Sequence, residues 1–196
     1  QIVVMGPSAT ETLFAIGAGP QVEAVDDNSN YPAQAPKTKL SAFQPNAEAV
    51  AGYTPDLVVV SNDANGLVAS LTKLKIPVLV LPAPKNLDDA YEQMRTLGKV
   101  TGHADDAEKV VTTTKDRIAK AIASVPASAK GKKVYHELDQ TFYSVTSTTF
   151  IGTVYAQLGL TNIADAAKDA AASGGYPKLS PEYVVTAAPD LIVLAD

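Results

Sequence analysis

The chain of 196 residues contains no cysteine, which excludes disulfides and thiolate metal sites and leaves the redox compartment open. Only two histidines are present, His103 and His136. Neither G-x-x-x-x-G-K-[ST] nor G-x-G-x-x-G occurs, so the standard phosphate-cradling loops are absent. G-x-S-x-G and H-E-x-x-H are missing too, which removes the common nucleophile-elbow and metalloprotease readings. No basic run stands out, and 16 Lys+Arg against 21 Asp+Glu leave a net charge of −5, which argues against a nucleic-acid surface. No apolar run approaches the roughly 18 residues needed to span a bilayer. No charged-then-apolar leader opens the chain, because residues 1–5 already read as a strand. With 46% hydrophobic and 19% charged residues, the composition is that of a globular protein, long enough for one large domain or two small ones.

The most informative positive feature is a repeat. Residues 48–61, EAVAGYTPDLVVVS, match residues 182–195, EYVVTAAPDLIVLA, at six of fourteen positions: Glu48/Glu182, Val50/Val184, Pro55/Pro189, Asp56/Asp190, Leu57/Leu191 and Val59/Val193. About one match is expected by chance. In both copies a helical turn bearing a carboxylate leads through a Pro-Asp corner into an aliphatic run. Such a repeated supersecondary unit predicts two similar lobes, and a cleft between lobes is a common ligand site.

Hydrophobic patterning fills in the rest. Residues 2–5, 22–25, 56–61 and 77–81 read as short strands, and the near-continuous apolar run at 56–61 suits a parallel sheet buried on both faces. Ser8 with Glu11 reads as a capping box for a helix ending near Gly17, and Asn46 as the cap of the helix through Val50. Residues 26–44 read as a surface loop, followed after the repeat by a helix near 66–74. Helical spacing runs from Leu87 to Val100 and resumes after Gly102, predicting a helix over 104–125 about 32 Å long, a strut between lobes. The second lobe opens with strands at 133–137 and 142–145 and a helix over 149–159. The expected fold class is therefore α/β: two similar lobes with mostly parallel sheets bridged by a long helix. The domains are expected at 1–85, 86–125 for the linking helices, and 126–196. The repeat also leads us to expect an incomplete second lobe, because the first copy is followed by another helix and strand.

Several residues are candidates for chemistry or binding. His103 lies at the polar start of a helix, where simple solvation accounts for it. His136 lies beside Glu137 and Asp139, a grouping compatible with base catalysis, loose metal binding or strand-edge packing. Glu48 and Glu182 occupy matching helix starts; each interacts favourably with its own helix dipole, and as a symmetric pair they offer two acidic contacts to a twofold partner. Tyr31, Phe43, Phe142, Tyr143 and Tyr176 are loop aromatics, suited either to binding or to loop packing.

The segments VVMGPSATETLFAIGAG, NYP, PNAEAVAGYTPDLVVVSN, IPVLVLPAPKNLDDAYEQMRTLGKVTG and GGYPKLSPE together resemble the extracytoplasmic substrate-binding proteins of ABC importers for cobalamin and iron–siderophore complexes. The resemblance spans essentially the whole chain, and ELDQTFYS and GGYPKLS look most like the cobalamin branch. It implies a bilobal receptor with little hinge motion that catalyses nothing and calls for no cofactor or metal of its own. A glutamate on each lobe would dock onto a dimeric permease, here Glu48 and Glu182. The ligand would lie in the cleft against Tyr176 first, then Tyr31, Phe43, Ser61 and Asn62, with Phe142 and Tyr143 from the second lobe. Cobalamin-binding relatives often place tryptophans in the cleft; this chain has none, and Ser61 stands at the strand-end position.

The expected function is thus capture of a metal chelate, cobalamin or a related corrinoid, for delivery to an importer, outside the cytoplasm and as a monomer. A ferric siderophore or haem is the alternative ligand. A metal-dependent two-domain enzyme using His136, Glu137 and Asp139 is the alternative of another class.

Overall fold

The apolar tetrads of the first half pair in parallel. Strands β1 (Ile2–Met5), β2 (Val22–Val25), β3 (Leu57–Val60) and β4 (Val78–Val80) form one sheet in the order β2-β1-β3-β4. Successive side chains on a strand point to opposite faces, so the central strands feed two cores. Ile2, Val4 and Val59 pack with Leu13, Ile16 and Leu97 on one side. Val3, Met5, Val58 and Val60 pack with Val50, Leu67 and Leu71 on the other. Both faces of β1 are therefore buried, as its unbroken apolar run requires.

The computed structural model describes residues 1–195 and divides the chain into two units. Unit one contains Gln1–Ala83 and Asp89–Thr114; unit two contains Pro84–Asp88 and the chain from Lys115 onward. In unit one, helices α1 (Pro7–Ala15), α2 (Ala47–Ala51) and α3 (Leu67–Lys73) follow β1, precede β3 and follow β3 respectively. Helices α4 (Leu87–Thr101) and α5 (Ala104–Ala123) meet closely: a Cβ on Gly98 would lie 2.4 Å from that of Ala107. Arg95 clamps the pair, its guanidinium reaching both carboxylate oxygens of Glu108 at 2.7 and 3.0 Å.

Unit two has the parallel sheet β6-β5-β7, formed by β5 (Lys133–Glu137), β6 (Thr161–Asn162) and β7 (Leu191–Leu194). Its helices are α6 (Phe150–Gln157) and α7 (Pro181–Ala187). The core here is smaller, built on Tyr135, Ile163, Ala164 and Leu179. Leu191, Ile192 and Leu194 of β7 are exposed.

The two repeat copies have the same local geometry. Asp56 N–H donates to the Gln1 carbonyl beside β1, and Asp190 N–H donates to the Lys133 carbonyl of β5, each at 2.8 Å. The residue before each proline is left-handed: Thr54 at φ 49° and Ala188 at φ 48°. That shared non-glycine conformation is invisible in composition, and it turns each helix sharply into its strand.

Two local expectations fail, and one short strand goes unforeseen. Ser8 and Glu11 form no capping box, because Pro7 takes the first helical position and moves the cap back to Gly6, which has no side chain to offer. Residues 142–145 are not a ladder strand: Phe142 at φ 67° breaks the extended run, and Tyr143 makes one isolated antiparallel bridge to Lys178. The two-residue β6 was not anticipated, being too short to show a period. Asn46 does cap α2, its Oδ1 accepting the Ala49 N–H at 3.0 Å.

Candidate functional site

In parallel α/β sheets, ligands are held beyond the carboxyl ends of the strands. At that end of β1 and β3, unit one has a small recess lined by Met5, Ala42, Pro45, Val60, Ser61 and Asn62. Ser61 and Asn62 are exposed at its rim, and a Cβ on Gly6 would meet Ser61 Oγ at 2.5 Å, so a side chain there would force the serine hydroxyl to turn away. Phe43, in the loop that supplies Ala42 and Pro45, is 80% exposed.

Tyr31, also exposed, rides on the loop after β2. A buried polar chain fixes the root of that loop. Thr10 Oγ1 donates to Ser29 Oγ at 3.1 Å, and Ser29 donates in turn to the buried Asp26 carboxylate. Asp27 N–H donates to the Leu40 carbonyl at 2.7 Å and closes the other end. Sequence reading missed Asp26 because it looked like one more polar loop residue; the Asp-x-x-Ser spacing was the only clue, since Ser29 turns back onto Asp26.

In unit two the aromatic group sits on two short extended segments. Ser144 N–H donates to the Pro177 carbonyl at 2.9 Å, and Leu179 N–H donates to the Phe142 carbonyl at 2.9 Å. Burial alternates along the second segment: Gly175, Pro177 and Leu179 point inward, Tyr176 and Lys178 outward. Tyr143, opposite Lys178, is 42% exposed and Tyr176 45% exposed. Phe142 differs from them, packing partly buried against Tyr135, Ile163, Ala164 and Leu179. Gly175, at φ 92°, holds the segment against the 146–149 turn, where a Cβ would meet three threonine side-chain atoms at 2.9–3.0 Å.

Glu48 and Glu182 occupy equivalent places. Each is the second residue of its helix, two after the capping Asn46 or Ser180, and each is exposed. The Glu182 carboxyl is held below the ordinary range by its own backbone N–H and by the Ser180 hydroxyl. This keeps a full negative charge at the helix start, where it is favoured.

His136, Glu137 and Asp139 do not assemble. Alternation on β5 sends His136 to one face, where its Nδ1 lies 2.7 Å from Tyr155 Oη. Glu137 goes to the other face and accepts from Tyr135 Oη at 2.8 Å. Asp139 accepts from Thr141 N and Oγ1 in its own turn. Among the described residues no group of three His, Cys, Asp or Glu converges as a metal would need. Burial pushes the His136 imidazole below its usual range and leaves Nε2 without a partner among the described residues. His103 is not simply solvated: it is half-buried, with Nδ1 2.9 Å from the Thr101 carbonyl and 3.5 Å from Gln21 Nε2. Among the described residues no helix is long and apolar enough to cross a membrane.

Two α/β units, each with a parallel sheet and with exposed aromatics on its loops, fit the class of solute-binding proteins. The chain belongs to the periplasmic binding protein family, whose pattern it matches over residues 2–196. It is 33% identical over 200 residues to a cobalamin-binding protein of Halobacterium salinarum, covering 98% of this chain and 53% of that protein. Against a solved structure of a possible iron-binding, periplasmic solute-binding protein of Staphylococcus epidermidis it superposes with a TM-score of 0.83 at 25% identity, covering 98% of this chain and 76% of the other. A haem-binding protein of Vibrio cholerae, HutB, also gives 0.83, at 22% identity over 99% of this chain and 76% of its own, a likeness of fold alone. The chain spans about half the length of the curated relatives it matches. These relatives are binding proteins, not enzymes.

Proposed function

We propose that this chain is the solute-capturing component of an ABC importer, and that it takes a corrinoid such as cobalamin outside the cytoplasm and delivers it to a dimeric permease. The observation that carries the ligand is the 33% identity, over nearly the whole chain, to a protein described as cobalamin-binding. The likeness to a possible iron-binding protein at 25% identity keeps haem and ferric siderophores as the second reading. The exposed Tyr31, Phe43, Tyr143 and Tyr176 suit a large ligand with flat apolar surface, since rigid aromatic rings give contact area at little entropic cost. Ser61 and Asn62 add hydrogen-bonding groups at a strand end, and the half-buried Phe142 is the less accessible aromatic contact beside Tyr143. Glu48 and Glu182, equivalent in position and exposed, are the docking charges for the two permease subunits, with the receptor acting as a monomer.

Calorimetry on the intact protein tests the ligand, with cobalamin, haem and a panel of ferric siderophores as titrants. Micromolar or tighter binding of cobalamin, weakened at least tenfold by Tyr176→Ala, is expected. Failure to bind any of the three classes refutes the receptor reading. The docking assignment is read separately: Glu48→Ala with Glu182→Ala should abolish stimulation of the transporter while ligand affinity persists.

A further inference from the structure

One polar side chain on the aromatic face of unit two has no role in that assignment. Lys178 projects from the same outward face as Tyr176, two residues apart, and lies across the isolated bridge from Tyr143. Its ammonium sits 5.6 Å from the centroid of the Tyr143 ring, within the range of a cation–π contact. Among the described residues no carboxylate forms a salt bridge with it. Asp139, the nearby acid, feels the lysine but is held chiefly by the Thr141 hydroxyl and N–H. The segment beneath is rigidly fixed, with Pro177 and Leu179 buried and backbone hydrogen bonds on both sides of Lys178. An exposed lysine ordinarily wanders in solvent; this one is laid against a ring, near Asp139 but in no salt bridge with it.

We propose that Lys178 reads an anionic substituent at the edge of the ligand. The two tyrosines offer a surface for the apolar body of a metal chelate, and the ammonium beside them offers an ion pair to a peripheral phosphate or carboxylate. The inference rests on the receptor reading above and deepens it by naming the ligand class: a chelate with an acidic periphery. A charge-assisted contact at a partly desolvated edge lies between a screened surface pair and a buried one. Removing it is expected to weaken binding by about three- to tenfold.

The experiment compares wild type, Lys178→Gln and Lys178→Arg on the intact protein, using two matched pairs of probes. The first pair is cobalamin, whose nucleotide loop carries a phosphodiester, against cobinamide, which lacks the phosphate with the rest of that loop. The second is haem, with two carboxylates, against its dimethyl ester. The readout is the ratio of affinities within each pair, at low and high salt. Lys178→Gln should lower the preference for the acid-bearing member of whichever pair binds, by about threefold or more, and Lys178→Arg should retain it. Higher salt should shrink the difference, because screening acts on exposed charge. The pair that responds identifies phosphate or carboxylate as the group read. An unchanged ratio in Lys178→Gln overturns this inference and leaves the receptor reading standing. Absence of binding by wild type to all four probes overturns the inference through the receptor reading, and the siderophore arm above then decides that reading alone.

Discussion

Replacing Gly152 by alanine should damage the second unit severely, and the size of the effect follows from three distances. Gly152 is the third residue of α6, and its N–H donates to Oγ1 of the capping Thr149 at 3.1 Å. A Cβ there would lie 1.9 Å from the Thr146 carbonyl oxygen and 2.6 Å from both the Thr146 carbonyl carbon and the Ser147 Cα. Every obstacle is backbone, so no rotamer change relieves the clash, and α6 must part from the 146–149 turn. Overpacking of this kind costs typically about 1–3 kcal/mol, and opening the cap adds about 1 kcal/mol. The expected loss is therefore about 2–4 kcal/mol, a large share of the roughly 5–15 kcal/mol that stabilises a folded domain. Urea unfolding followed by far-UV circular dichroism suits a chain without tryptophan. Thr149→Ala is the internal standard, since it removes the cap without the clash and should cost about 1 kcal/mol. The displacement should also travel: Thr146 N–H donates to the Gly175 carbonyl at 2.8 Å, directly before Tyr176. A Gly152→Ala protein within about 0.5 kcal/mol of wild type, the range of neutral surface changes, would refute the argument from contact distance.

Two further outcomes are expected. His136 is buried with its folded pKa below the ordinary 6.5, so the unfolded chain takes up the proton first as pH falls. Its contribution to stability is complete above about pH 6.5 and declines below it, by at most about 1.4 kcal/mol per pH unit, until the folded imidazole also titrates. His136→Gln should flatten that part of the pH–stability curve measured by urea unfolding, and an unaltered slope would assign the effect elsewhere. Ala188 and Thr54 hold left-handed backbone, which costs an L-residue about 1–2 kcal/mol, while glycine gives back roughly 0.5–1 kcal/mol in chain entropy. Ala188→Gly and Thr54→Gly should each therefore raise stability by about 0.5–1 kcal/mol, and a fall in melting temperature for both would count against strain at these corners.

The architecture was legible wherever burial leaves a period. Residues 2–5 and 57–60 are apolar at every position because both faces of a parallel strand are covered, and that pattern announces itself. The repeat was legible for the same reason, its Pro-Asp corner and aliphatic run being demanded twice by one geometry. What stayed hidden depends on single backbone angles or long-range partners. Phe142 adopts a positive φ that nothing in ELDQTFYS signals, so the expected strand dissolves into a bridge. The capping-box pattern at Ser8 and Glu11 misled, because Pro7 at the first helical position moves the cap back to Gly6. Of the candidate contacts, Tyr31, Phe43, Tyr143 and Tyr176 are exposed as loop tyrosines and phenylalanines suggest, whereas Phe142 is half absorbed into a core. Lys178 was passed over because a lone lysine on a loop carries no pattern; the alternation Tyr176-Pro177-Lys178-Leu179 was the available clue.

That alternation has a consequence for how such a protein changes over time. Pro177 and Leu179 anchor the segment, while positions 176 and 178 face outward and contribute little to the anchoring. If Tyr176 and Lys178 contact the solute as proposed, recognition and folding fall to different residues of one five-residue strip. On the proposed reading, substitutions at the two outward positions would retune which solute is preferred while the inward positions continue to hold the strip in place. A lineage moving between nutrients would then do so in single steps, each leaving a foldable protein behind it.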